Sequence, residues 1–234
     1  MVPTVLIVAG GDRPSPGAVE AVGPVDRCIV ADSGLDHAYA LGLHPDLLVG
    51  DLDSVSPGGL ARAEAEGMPI ERHPGRKAET DLELALAAAV ADEPVRVVVL
   101  GAGGGRLDHA VANLLLLGDD RFAGVDLDAV AGGAWVTVVR SRPRRLRGSV
   151  GDLVSLLPIH GDARGVTTTG LEYPLVDATL VAGAGRGVSN VIVAPDPTVV
   201  VDAGVLMAIQ PDAIGASGPG GTGTGGHEGD AVAG

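Results

Sequence analysis

Short runs of consecutive apolar residues mark the first half of the chain, at residues 5–9, 28–31, 47–49 and 95–100. They are rich in Val, Ile and Leu, are unbroken by polar residues, and read as strands buried on both faces. Between them, residues 35–41, 60–66, 82–90 and 107–117 place apolar positions at helical spacing. Strands alternating with helices predict a mostly parallel sheet covered on both sides. The pattern changes after about residue 130. Residues 135–139, 153–157, 179–181, 191–193, 199–201 and 205–209 are short strand candidates separated by Gly, Pro and Asp. The fold class is therefore an α/β N-terminal domain with a mostly parallel sheet and a C-terminal all-β sandwich domain. The expected division is 1–132, 133–210 and a Gly-rich tail at 211–234, whose composition predicts disorder. The basic run at residues 140–147 is expected to be a solvated hairpin tip or linker, with a phosphate contact as the alternative.

Composition narrows the function. A net charge of −14 argues against broad binding to nucleic acid or an anionic membrane. The single cysteine, Cys28, cannot form a disulfide within the chain and lies in an apolar run, as a buried inert thiol would. No run is long enough to span a bilayer, and the start is not that of a signal peptide, so the expected location is cytoplasmic.

Several polar residues stand where the predicted strands end. Asp51 and Asp53 follow the third strand; an extended segment would project both the same way, with Cα atoms roughly 7 Å apart. Such a pair repels unless a cation intervenes, and hard oxygens of this kind suit Mg²⁺. Taken alone, a solvated turn explains them better. Asp32 closes the second strand, as a turn residue or a helix N-cap. Thr80 and Glu83 match a capping box, with Asp81 in the first helical turn. Gly101 to Gly105 link the fourth strand to a helix, offering Gly103, Gly104, Gly105 and a helix N-terminus to an anion, with Arg106 beside them. Asp108 could anchor Arg106 or cap the helix; His109 follows it. In an open α/β sheet, strand C-terminal ends line one crevice where ligands bind. Acidic groups and a glycine loop on that edge suggest phosphoryl chemistry on a nucleotide.

These stretches, in order, resemble the thiamine pyrophosphokinase family. The matching segments are Ala31-Asp32-Ser33-Gly34, Gly50-Asp51-Leu52-Asp53-Ser54, Thr80-Asp81-Leu82-Glu83 and Gly103-Gly104-Gly105-Arg106-Leu107-Asp108-His109. In the second half they are Gly151-Asp152-Leu153, Gly165-Val166-Thr167-Thr168-Thr169-Gly170 and Gly187-Val188-Ser189-Asn190. The resemblance implies Mg²⁺-dependent transfer of diphosphate from ATP to the hydroxyl of thiamine, and a homodimer with active sites between subunits. It implies Asp51, Asp53 and Asp81 as metal and catalytic ligands, with Asp32 in the same cluster. The glycine loop, Arg106, Asp108 and His109 would face the nucleotide, and Tyr173, Ser189 and Asn190 the thiamine. Asp51 or Asp81 would accept the hydroxyl proton. The chain departs from the family pattern at Ala78, where an Asp is usual. It departs again at Tyr173, often Trp in bacterial members, and at Val191, often Glu. Two alternatives follow from these departures: a diphosphokinase for a pterin-like hydroxymethyl heterocycle, and a non-catalytic ligand sensor.

Overall fold

The computed structural model describes residues 3–75, 78–91 and 93–214. The first half is built on six parallel strands. These are β1 (Thr4–Val8), β2 (Arg27–Ala31), β3 (Leu47–Gly50), β4 (Ile70–Arg72), β5 (Arg96–Leu100) and β6 (Asp126–Ala131). Their spatial order is β4-β3-β2-β1-β5-β6. The strand order reverses between β1 and β5, and the crevice of an open sheet forms at such a switch point. Helices α1 (Pro16–Val22), α2 (Gly34–Ala40), α3 (Pro57–Ala65), α4 (Asp81–Val90) and α5 (Leu107–Leu116) connect the strands. Two apolar clusters sandwich this sheet, one around Ile7, Ile29, Val99 and Leu86, the other around Leu6, Val30, Leu35 and Val98. Alternate residues of one strand thus serve opposite faces, which is why these strands read as unbroken apolar runs.

The sheet does not stop at β6. A hairpin turns it antiparallel into β7 (Ala134–Val139), which pairs with β13 (Ala203–Gln210). Next to β13 lies β9 (Leu153–Thr169), a 17-residue strand. Along its length β9 also holds β10 (Ala178–Leu180), β11 (Asn190–Val191) and β12 (Thr198–Val200); β8 (Arg144–Arg145) completes the edge. A third core, including Leu146, Val154, Leu156, Val166, Leu180 and Leu206, fills this strand-rich half.

Helix α1 and strands β4 and β8 were not expected, and three further features differ from the sequence expectation. Strand β6 escaped notice because Asp128 interrupts its apolar pattern. That carboxylate is buried between Arg96 (3.1 Å) and Arg144 (2.7 Å), which supply the charge-assisted bonds its burial requires. The second difference is the basic run: Ser141, Arg142, Pro143 and Arg145 are exposed as expected, but the other arginines are not solvated. Arg140 donates to the backbone oxygen of Asp119 (2.9 Å), and Arg144 to that of Val138 (2.9 Å). Arg147 lies 3.7 Å above the ring of the fully buried Trp135 and donates to Ala21 O (2.6 Å). These arginines clamp the two halves together, because buried carbonyls and an indole face satisfy guanidinium groups that water would otherwise hold. The third is the C-terminus: residues 211–214 continue as a turn whose Ala213 and Ile214 pack on the first-half core. The rest of the predicted tail lies outside the described residues. Cys28 is buried as expected, and burial, with Asp46 adding, pushes its thiol up to about 12. No helix among the described residues is long and apolar enough to cross a membrane.

Candidate active site

The acidic residues converge at the ends of β2 and β3. One carboxylate oxygen from each of Asp32, Asp51 and Asp53 lies within 4.8 Å of the others. The convergence does not come from an extended segment. Leu52 has a φ of 66° and is buried, so the chain turns over it, and Asp53 N donates to Asp51 Oδ1 (3.1 Å). Burying the Leu52 side chain offsets the strain of its left-handed backbone.

Asp32 also sits at positive φ (48°), with only 9% of its surface exposed. It does not cap α2 through its side chain; its Oδ2 accepts the Ser54 hydroxyl instead. Its Oδ1 is buried with no hydrogen-bond partner among the described residues. Burial raises the Asp32 pKa; the Ser54 bond opposes this, and the charges of Asp81, Asp53 and Asp51 add to it. Asp81, at the start of α4, borders the same point. A side chain on Gly50 would come within 3.2 Å of Asp81 Oδ1 and 3.3 Å of Asp32 Cβ, so glycine leaves room for both carboxylates. Thr80 caps α4, its Oγ1 accepting from Glu83 N (3.2 Å), but the capping box is half made. Glu83 turns to Arg121 (2.6 Å), a charged donor.

An orphaned buried oxygen within a cluster of hard oxygen ligands fits a small divalent cation. The pKa shift gives a stability prediction. A carboxyl whose folded pKa is raised binds its proton more tightly folded than unfolded. Stability is therefore lost as pH rises from the unfolded value through the folded one, and the deficit persists at neutral pH. Asp32→Asn is accordingly expected to raise the melting temperature of the metal-free protein at pH 7 and to shrink that gain below pH 4. Scanning calorimetry at both pH values would show it; equal melting temperatures at pH 7 would contradict it.

The glycine loop lies across the switch point. Gly104 and Gly105 have φ of 79° and 62°, which permit the sharp descent from β5 into α5. Arg106 is exposed and bonded to Asp108 (Nε to Oδ1, 3.1 Å), and this bond holds the Asp108 carboxyl down at about 2. Asp108 thus anchors Arg106. His109 is exposed beside it. Sequence reasoning missed the facing loop, Gly10-Gly11-Asp12 after β1. Asp12 N donates to Gly103 O (2.7 Å). Its signal was present: two glycines and an acid directly after a buried strand.

The second-half residues lie elsewhere. Asn190 is buried and holds the Tyr173 backbone, accepting from Tyr173 N (3.1 Å) and donating to Tyr173 O (2.8 Å). Tyr173 itself is exposed, and Ser189 has a φ of 58° with its N–H on Ser155 Oγ (3.1 Å). Strand register places them on the same rim as the acids. Val8, Leu100, Val130, Trp135 and Gln210 form one row, and β11 pairs with the first residues of β9 beside it. Yet β9 is six strands from β2, or roughly 29 Å at about 4.8 Å per strand. Helix α5, which starts at the glycine loop, buries none of its residues and exposes Leu107, Val111 and Leu115 in one stripe.

A carboxylate cluster at the ends of β2 and β3 and two glycine-bearing loops at the switch point, joined to a strand-rich half, define an α/β protein with its polar groups gathered on one edge of a parallel sheet. The family model "Thiamin pyrophosphokinase, catalytic domain" matches residues 22–126, and "Thiamin pyrophosphokinase, vitamin B1 binding domain" matches residues 142–206. The chain belongs to the thiamin pyrophosphokinase family. It is 26% identical over 211 residues to a thiamine pyrophosphokinase of Bacillus subtilis, covering 88% of this chain and 98% of the relative. It is 28% identical over 182 residues to thiamine pyrophosphokinase 2 of Oryza sativa, covering 71% of this chain and 65% of the relative. The crystal structure of thiamin pyrophosphokinase from Geobacillus thermodenitrificans matches with a TM-score of 0.76 at 25% identity, covering 89% of this chain and 97% of that one. The yeast enzyme shares the fold at a TM-score of 0.72 and 14% identity, with 89% and 86% covered.

Proposed function

We propose that this chain is a thiamine diphosphokinase, transferring diphosphate from ATP to the hydroxyl of thiamine and releasing AMP. The observation that carries the reading is the Asp32, Asp51 and Asp53 cluster, with a buried Asp32 oxygen that has no hydrogen-bond partner among the described residues, beside a glycine loop, in a chain of this family. The family models and curated relatives support thiamine as acceptor and give no support to the pterin-like or sensor alternatives.

Mg²⁺ held by Asp32, Asp51 and Asp53, with Asp81 adjacent, would neutralise charge on the phosphate oxygens. The N–H groups of Gly103 to Gly105 and the α5 N-terminus cradle the phosphates, with Arg106 and His109 at their edge. The thiamine hydroxyl oxygen attacks the β-phosphorus of ATP as the bond from that phosphorus to the α,β-bridging oxygen breaks. AMP leaves, and the hydroxyl proton passes to Asp51 or Asp81. In-line placement supplies much of the rate.

Tyr173, Ser189 and Asn190 lie too far along the sheet to complete this site within one chain. We therefore assign them to the site of a second copy, in a homodimer that covers the α5 stripe. Tyr173 offers an aromatic face to the thiamine rings, and Asn190 fixes the segment that carries it. A cytoplasmic location suits such an enzyme. Purified protein with Mg²⁺ and ATP should release AMP with thiamine as acceptor and far more slowly with a hydroxymethylpterin. Equal rates would overturn the substrate assignment.

A further inference from the structure

The loop after β1 has no role in the reading above, yet it forms the wall between the acidic cluster and the glycine loop. Its Asp12 N–H bonds Gly103 O at 2.7 Å, directly across the switch point. Gly11 packs so closely that a Cβ there would run into the backbone oxygens of both Gly101 and Gly103. From the other side, a Cβ on Gly101 would come within 2.6 Å of Ala9 O, and one on Gly104 would enter the Asp12 carboxylate. A Cβ on Gly103 would meet Ala131 Cβ at 2.9 Å. Gly10, at the other end of the loop, lies against Ser33, the neighbour of Asp32. Two loops in backbone-to-backbone contact at this many points cannot move independently, because close-packed backbone has no rotamer to yield.

We infer that Gly11 and Asp12 are positioning residues: the Gly10 to Asp12 turn is the template that sets the phosphate-binding shape of the Gly101 to Gly105 loop. The inference rests on the proposed nucleotide role of that loop. Gly11 needs the absence of a side chain, and Asp12 needs its backbone N–H; neither touches the reacting atoms.

The test measures binding of a non-hydrolysable ATP analogue with Mg²⁺, and separately of thiamine, by titration calorimetry. Gly11→Ala is expected to weaken the analogue by about tenfold or more while thiamine affinity stays within about twofold. Gly204→Ala is the control, since its Cβ would run into the backbone oxygen of Asp162 at the far end of β13. It should lower the melting temperature without changing analogue affinity. If Gly11→Ala does not fold, Asp12→Pro is compared with Asp12→Ala. Both remove the carboxylate, but only proline removes the N–H donor. The proline variant should bind the analogue about fivefold more weakly, as the loss of one backbone hydrogen bond implies. Unchanged analogue affinity in Gly11→Ala, equal weakening of both ligands, or equal affinities in the two Asp12 variants would overturn the inference. A wild-type protein that binds no analogue would overturn the nucleotide reading itself, and the inference with it.

Discussion

Asp51→Ala should lower kcat by roughly 10³-fold, because it removes several kcal/mol of charge stabilisation where the transferring phosphates sit. Asp51 shares its point with Asp32 and Asp53, and its Oδ1 also accepts the Asp53 N–H that shapes the turn over Leu52. Removing it takes away a cation ligand and loosens the group that carries the next one. The melting temperature should change little, since Asp51 is only half-buried and the turn is anchored by Leu52. Steady-state AMP release at saturating ATP and thiamine measures the effect. A kcat within tenfold of wild type would remove Asp51 from the cation site. The same variant probes the second copy. Mixed with a Tyr173→Ala protein, it should regain activity if each site draws on two chains, because one of the mixed dimer's two sites then carries neither substitution.

The largest stability effect is expected at Asp128→Ala. Asp128 is buried in the middle of β6 and is the shared partner of Arg96 and Arg144, whose side chains are themselves mostly buried. Removing one partner of a buried ion network leaves uncompensated charge, at a cost of about 3–5 kcal/mol. Two guanidinium groups would lose their shared buried carboxylate, although Arg96 keeps Val22 O (3.1 Å) and Arg144 keeps Val138 O (2.9 Å) and Asp126 Oδ1 at 3.9 Å. The total stability of a domain is on the order of 5–15 kcal/mol, so the variant should melt far earlier. Urea titration checks this. A loss below about 1 kcal/mol would mean that these arginines are already satisfied by water and carbonyls.

Both residues show what a sequence reveals. The core of the parallel sheet was legible because strands such as β1 and β5 are buried on both faces and carry apolar side chains at every position after the first. Strand β6 was not, because Asp128 is polar in the sequence and neutralised only by arginines 32 residues before it and 16 after. Edge strand β4 has one apolar residue in three, so its pattern holds no period to read. In β9, His160 at a φ of 59° and Gly161 break the alternation while the strand continues beyond them. At the site, the acids and glycine loop were legible as strand-end residues lining one crevice, but the turn that brings Asp51 and Asp53 together was not. It depends on Leu52 adopting a conformation that leucine ordinarily avoids, which tertiary packing supplies. The Gly10 to Asp12 turn escaped because a pair of glycines declares a close approach without naming what it approaches.

The most direct test of diphosphate transfer is phosphorus NMR of the purified protein with ATP, thiamine and Mg²⁺. Thiamine diphosphate and AMP should appear in equal amounts, and their formation should stop when the cation is chelated. Appearance of ADP with thiamine monophosphate, or ATP consumption that does not depend on thiamine, would contradict it.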